Sequence, residues 1–231
     1  MSWKSALLTA VLALVFGFAG AAIWSATGLG NASTRAYLVE NPDILPAMAD
    51  SYQRQEAERQ LASVGSVATE PFPGAVLGNP DGSRVLVEFS DYACGYCRQS
   101  VDEVRAMIAA DPELKVVIRE WPVFEGSEAS ARMALAAARQ GKYAAFHDAM
   151  YAAGPPSPES IAGAAKTAGL DMARAEADAA SDAVTQELLE TMRIAEALGF
   201  SGTPSWIAGG RTLEGAVGRA ALAEAVGSPG A

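Results

Sequence analysis

Cys94 and Cys97 enclose Gly95 and Tyr96, and they are the chain's only cysteines. Two thiols three residues apart at the start of a helix face one another closely enough to bridge, so the pair can open and close in place. A helix N-terminus also presents unpaired backbone N–H groups and a positive dipole end, which stabilise a thiolate and lower a cysteine pKa from about 8.5 to about 3.5–7.5. Cys94 is therefore the expected nucleophile toward a disulfide. Cys97, one turn further in, is expected to resolve the mixed disulfide, with Gly95 and Tyr96 tuning the exchange. A bridge that closes only four residues removes little unfolded-chain entropy, so stability accounts poorly for the pair.

Other residues offer support. Glu88 interrupts an apolar strand six residues before Cys94. If buried, its carboxyl group would exchange protons with Cys97 through water; on an edge strand it would simply reach solvent. Thr203-Pro204 precedes another apolar stretch. A cis bond there would free the Thr203 backbone to pair with an extended substrate, although most X-Pro bonds are trans. A closed zinc site needs about four Cys or His ligands, and the chain has two Cys and one His. Haem attachment needs His after the second cysteine, where Arg98 stands. His147 reads as a packing residue. No metal and no cofactor are expected, and the alternative chemistry is capture of a soft ion such as Cu(I) by the two thiolates.

The elements that must hold these residues are legible in outline. Arg84–Phe89 reads as a buried strand, Cys94 to about Ala110 as a helix, and Lys115–Trp121 as a second strand rich in β-branched residues. Residues 127–198 are Ala-rich, punctuated by Gly141, Gly154 to Pro158 and Gly169, and fit three to four helices. Ser205–Ala208, Gly209-Gly210 and Arg211–Leu213 form an expected β-hairpin, and Arg219–Val226 a closing helix. The class is α/β, with one catalytic domain over about 76–228.

Two segments precede it. Residues 1–30 hold an apolar run from Ala6 to Trp24 after Lys4, long enough to span a membrane, while Ala19-Gly20-Ala21 could serve as a cleavage site. Either way the rest of the chain is expected outside the inner membrane, where disulfides persist. Residues 34–66 read as a weakly apolar helical stalk, with Asn41 as N-cap, Pro42 at the first helical position, and Leu38, Leu45, Met48, Tyr52 and Leu61 available to self-associate. The net charge of −10 argues against nucleic acid as a partner.

Val87 to Cys97 (Val-Glu-Phe-Ser-Asp-Tyr-Ala-Cys-Gly-Tyr-Cys), Glu120-Trp121-Pro122 and Gly202 to Trp206 (Gly-Thr-Pro-Ser-Trp) together resemble the DsbA-like thioredoxin-fold family of thiol-disulfide oxidoreductases. The resemblance covers about Val76 to Val226. It implies a thioredoxin fold with an inserted helical domain, Cys94 as nucleophile, Cys97 as resolving cysteine, Pro204 as a cis-proline facing them and Glu88 as a buried acid. The family's best-known oxidases carry Pro-His between the cysteines where this chain carries Gly-Tyr, which favours an isomerase or general oxidoreductase. Tyr37-Leu38 and Asn41 to Leu45 resemble the stalk of the ScsC-type branch, which implies a possible homo-oligomer. Expected partners are exported cysteine-containing clients and a membrane redox partner.

Overall fold

The computed structural model describes residues 3–27 and 29–227. Residues 1, 2 and 28 of the expected N-terminal segment, and residue 228 at the end of the expected domain, lie outside the described residues. The chain divides into two compact units, residues 1–53 and 54–231.

The first unit is helical. Helix α1 (Trp3–Thr27) is apolar all round, and its Trp3–Ser25 stretch, with mean hydropathy 2.4, is long and apolar enough to cross a membrane. Helix α2 (Leu29–Glu40) follows, and α3 (Ile44–Val64) starts after a break at Asn41, Pro42 and Asp43. Asn41 does not cap α3 as the sequence suggests. Its side-chain amide donates to the Tyr37 carbonyl at 2.7 Å, closing the end of α2.

The second unit is built on a five-stranded sheet of order β1-β3-β2-β4-β5. The strands are β1 (Val76–Gly78), β2 (Arg84–Ser90), β3 (Leu114–Glu120), β4 (Ser205–Ala208) and β5 (Arg211–Glu214). Only the β2–β3 pair is parallel, and α4 (Gly95–Ala110) makes the crossover between them. Helices α5 (Glu128–Arg139), α6 (Tyr143–Ala153), α7 (Pro158–Thr167), α8 (Met172–Ala179) and α9 (Asp182–Ala197) form the insertion, and α10 (Arg219–Val226) closes the chain. The insertion thus holds five helices where punctuation suggests three or four, because Ser181 caps α9 directly after α8 without a Gly or Pro between them.

Strand parity sorts the core into two faces. Leu86 of β2, Val116 and Ile118 of β3 and Trp206 of β4 pack with α4, α5 and α6, while Val87, Phe89, Val117 and Ile207 pack with Ile194 and Leu198 at the end of α9. Even-numbered Glu88 therefore projects to the same face as Cys97. The lead-in also belongs to this core. Leu61, Val64 and Val67 pack on the second face, so Leu61 serves the catalytic unit rather than a partner surface. The fully buried Arg119 clamps this lead-in: it pairs with Glu187 at 2.8 Å and donates to the carbonyls of Glu70 (2.6 Å) and Val67. At the opposite edge the β4–β5 turn needs glycine, since Gly209 has φ +53° and a Cβ there would lie 2.0 Å from the Ala225 carbonyl oxygen.

Candidate active site

Cys94 is the N-cap residue of α4, with extended φ/ψ of −77° and 120°. Helical geometry begins at Gly95, and the Arg98 N–H closes the first turn onto the Cys94 carbonyl at 3.2 Å. The turn that delivers the helix is set by Asp91, whose buried carboxylate accepts from the Ala93, Val123 and Phe124 N–H groups and the Ser127 hydroxyl, all between 2.8 and 3.0 Å. One side chain thereby ties the cysteine turn to the loop after β3. Asp91 lies within the Val87–Cys97 motif, and an Asp two residues before a turn N–H is a recognisable Asx-turn signal.

Both cysteines are free thiols and both are buried, Cys94 at 3% exposure and Cys97 at 0%. Tyr96 between them is 65% exposed, and Gly95 would accept a Cβ without meeting any atom. The Cys94 thiol donates to the Thr203 carbonyl at 3.2 Å, and the Thr203-Pro204 peptide is cis. The structure therefore brings Cys94, Cys97, Thr203 and Pro204 together at the C-terminal end of β2. Base rates for X-Pro bonds alone point to trans, and only the motif resemblance implies the cis form.

Beneath the cysteines lies a polar cluster within an apolar core. Glu88 is on a central strand, between β3 and β4, and is 4% exposed, so the edge-strand alternative does not apply. Burial pushes its carboxyl group up to about 8, opposed by a hydrogen bond from the Ser90 hydroxyl at 3.2 Å. Ser90 also shares a 2.8 Å hydrogen bond with the Tyr151 hydroxyl. Cys97 is pushed up by burial first and by the Glu88 carboxyl second, while hydrogen bonding from the Asp91 backbone and Ser90 pulls it down. Cys97 thus favours the protonated thiol.

A second buried acid escaped the sequence reading. Glu120, paired with Ser90 across β2–β3, accepts hydrogen bonds from Tyr143 (2.6 Å) and Tyr92 (3.1 Å) on the same oxygen. Burial pushes it up to about 8 as well, against those hydrogen bonds. Its position in β3 shares the parity of Ile118, which is the signal that would have found it. Among the described residues no three His, Cys, Asp or Glu side chains gather as a metal-binding group.

Comparison with known proteins matches residues 85–227 to the DSBA-like thioredoxin domain. A thioredoxin-like oxidoreductase from Silicibacter pomeroyi is 40% identical, over 70% of this chain and 94% of its own, with a TM-score of 0.64. ScsC from Proteus mirabilis, in a transitional conformation, is 25% identical over 85% of this chain and 91% of its own, with a TM-score of 0.65. A Na(+)/H(+) antiporter NhaA from Herminiimonas arsenicoxydans is 30% identical over 164 residues, 69% of this chain and 26% of the antiporter. The chain spans about a quarter of the length of the curated relatives it matches. The match over 85–227 takes in β2 from Val85 onward, β3, β4 and β5, the cysteine turn and the helical insertion, and on that span the chain belongs to the DSBA-like thioredoxin domain family.

Proposed function

We propose that this chain catalyses thiol-disulfide exchange in exported proteins through Cys94 and Cys97, as an isomerase or general oxidoreductase rather than a dedicated oxidase. The single observation that carries the reading is the Cys94 thiol, 3.2 Å from the Thr203 carbonyl at the N-terminus of α4. That contact covers the sulfur and marks where an extended client backbone would dock on Thr203.

In the reaction a client disulfide displaces the Thr203 contact, the Cys94 thiol gives up its proton to water, and the resulting thiolate attacks one of the client's sulfurs. The Cys94–client S–S bond forms as the client's own S–S bond breaks, and the departing client sulfur leaves as thiolate. The client thiolate can then attack elsewhere in the client and complete an isomerisation. Otherwise Cys97 passes its proton to the Glu88 carboxylate and attacks Cys94, closing the Cys94–Cys97 disulfide and releasing the second client sulfur as thiolate. Two electrons have then passed to the client. Gly95 leaves the approach to Cys94 open, and Tyr96 offers an exposed ring to the client.

Localisation and assembly follow from the first unit. Helix α1 anchors the chain to the inner membrane with the catalytic unit on the periplasmic side. Leu45, Met48 and Tyr52 are exposed at i, i+3 and i+7 on α3, the spacing of a coiled-coil seam, which supports a homo-oligomer through the stalk. Several active sites facing one misfolded client suit disulfide shuffling, with a membrane redox partner restoring the dithiol. The soft-cation alternative rests on the two sulfurs alone.

The test is redox titration of the Cys94–Cys97 pair in glutathione buffers. A potential near about −180 mV or lower supports the isomerase or reductase reading, one near about −120 mV assigns a dithiol oxidase instead, and failure to titrate overturns the redox reading. Cys97→Ala is expected to trap a client on Cys94, seen as an added mass that reductant removes.

A further inference from the structure

Tyr151 comes into the site from the helical insertion, on α6, and its side chain is buried against the cysteine turn. Its hydroxyl lies 2.8 Å from the Ser90 hydroxyl and 3.2 Å from the Asp91 carbonyl. Ser90 Oγ in turn stands 3.2 Å from Glu88 Oε1, and the same Asp91 carbonyl accepts the Cys94 N–H at 3.0 Å. These contacts form one chain of hydrogen bonds that runs from the buried acid to the backbone of the nucleophile. Every link is a direct contact between protein groups.

Counting hydrogens gives the chain a direction. Three links join Glu88 to the Asp91 carbonyl, and Ser90 and Tyr151 bring only one hydroxyl hydrogen each. An ionised Glu88 adds none, so one link must stand empty. When Tyr151 donates to Ser90, the Ser90 hydrogen is committed to the carboxylate and the empty link falls at Asp91, whose carbonyl keeps the Cys94 N–H. A proton on Glu88 Oε1 supplies the third hydrogen. The chain then runs the other way, from Glu88 to Ser90, from Ser90 to Tyr151 and from Tyr151 to Asp91.

We propose that Tyr151 is a positioning residue for Glu88: by donating to Ser90 it turns the Ser90 hydroxyl toward the ionised carboxylate, and it turns to the Asp91 carbonyl once Glu88 holds a proton. The proposal rests on the reading of Glu88 as proton acceptor for Cys97. Tyr151 itself neither gains nor loses a proton in the cycle, and only the direction of its hydroxyl changes. A hydrogen bond to a charged acceptor is roughly twice as strong as one between neutral groups, so the arrangement favours the ionised acid over the protonated one.

The surroundings keep Tyr151 a donor. Burial first, then Cys97 and Glu88, hold its hydroxyl well above the usual tyrosine range. From α4, the Arg98 guanidinium stands 5.6 Å from the Tyr151 ring centroid and donates to its backbone carbonyl, while Cys97 also draws on the Ser90 hydroxyl. On α6, His147 lies 4.9 Å away by ring centroid, and burial holds it below the usual histidine range. Tyr92 packs on Tyr151 at 4.8 Å, and Glu120 of β3 is engaged by the Tyr92 and Tyr143 hydroxyls. From β4, Glu88 is paired with the uncharged Trp206.

The test uses the reduced full chain in non-ionic micelles. The Glu88 carboxyl is followed by its infrared C=O band from pH 5 to 10, as the difference from Glu88→Gln at each pH. Tyr151→Phe keeps the buried ring and is expected to move the Glu88 midpoint up by about half a pH unit, and Ser90→Ala by about one unit. Release of a thiol probe from a Cys94 mixed disulfide by Cys97 should then slow at pH 7 by about threefold and tenfold, the loss of ionised Glu88 that those shifts imply. Tyr151→Phe in the Ser90→Ala background should add nothing further. A parental midpoint for Tyr151→Phe beside a raised one for Ser90→Ala overturns the proposal and leaves the Glu88 reading standing. A Tyr151→Phe shift that persists in full without the Ser90 hydroxyl overturns action through Ser90. Parental probe release by Glu88→Gln removes Glu88 from the exchange and overturns both readings.

Discussion

Replacing Glu88 by glutamine is expected to change how stability depends on pH. In the unfolded chain this carboxyl titrates near 4.5, and in the fold burial holds it near 8. Its contribution to stability is therefore fully present below pH 4.5, is lost progressively as pH rises, and is gone above about pH 8. At about 1.36 kcal/mol per pH unit, the parent loses roughly 3 kcal/mol between pH 4.5 and 7 that Glu88→Gln retains. Glutamine keeps an acceptor for the Ser90 hydroxyl, so the cost of the substitution itself is carried equally at both pH values and cancels. The measurement is urea unfolding of the reduced full chain, parent and variant, at the two pH values. The gap between them should shift by roughly 3 kcal/mol in favour of the variant as pH rises. A shift below about 1 kcal/mol would mean that Glu88 is hydrated and ionised in the fold, unable to hold the Cys97 proton at neutral pH.

Arg119→Met strands the Glu187 carboxylate and the Val67 and Glu70 carbonyls, and should cost about 3–5 kcal/mol in urea unfolding; adding Glu187→Met should restore most of it. Gly209→Ala meets both a left-handed φ and the Ala225 carbonyl, whereas Gly210→Ala, with φ +74° and nothing within 4 Å, meets only the first. Calorimetry should show about 1–3 kcal/mol lost at Gly209 and less at Gly210. Serine at Leu45, Met48 and Tyr52 together should reduce the full chain in micelles to the monomer's mass by light scattering while leaving its redox potential unchanged.

The cysteine pair was legible because a four-residue turn places both thiols by local geometry alone. Glu88 was legible as a polar residue in an apolar strand, but its burial depends on β4 pairing along β2, some 120 residues later in the chain. Strand β1 was missed for a related reason: three residues next to a turn cluster carry too little alternation to register, and their pairing with β3 is what makes them a strand. Leu61 falls in the expected stalk because its neighbours in sequence are polar, while its neighbours in space are Val64, Val67 and the second face of the sheet. His147 reads as packing because a lone histidine in a helix usually is, and its ring is buried among Tyr92, Tyr143 and Tyr151.

The hydrogen bond from Cys94 to Thr203 joins residues 109 apart, and the whole helical insertion lies between them. At a synthesis rate of about 5–20 residues per second, the cysteine turn emerges roughly 5–20 seconds before the peptide that covers it. During that interval the two thiols stand without the Thr203 carbonyl that covers Cys94 in the finished fold. Arrival of the final hairpin is thus the event that covers the Cys94 sulfur and completes the site.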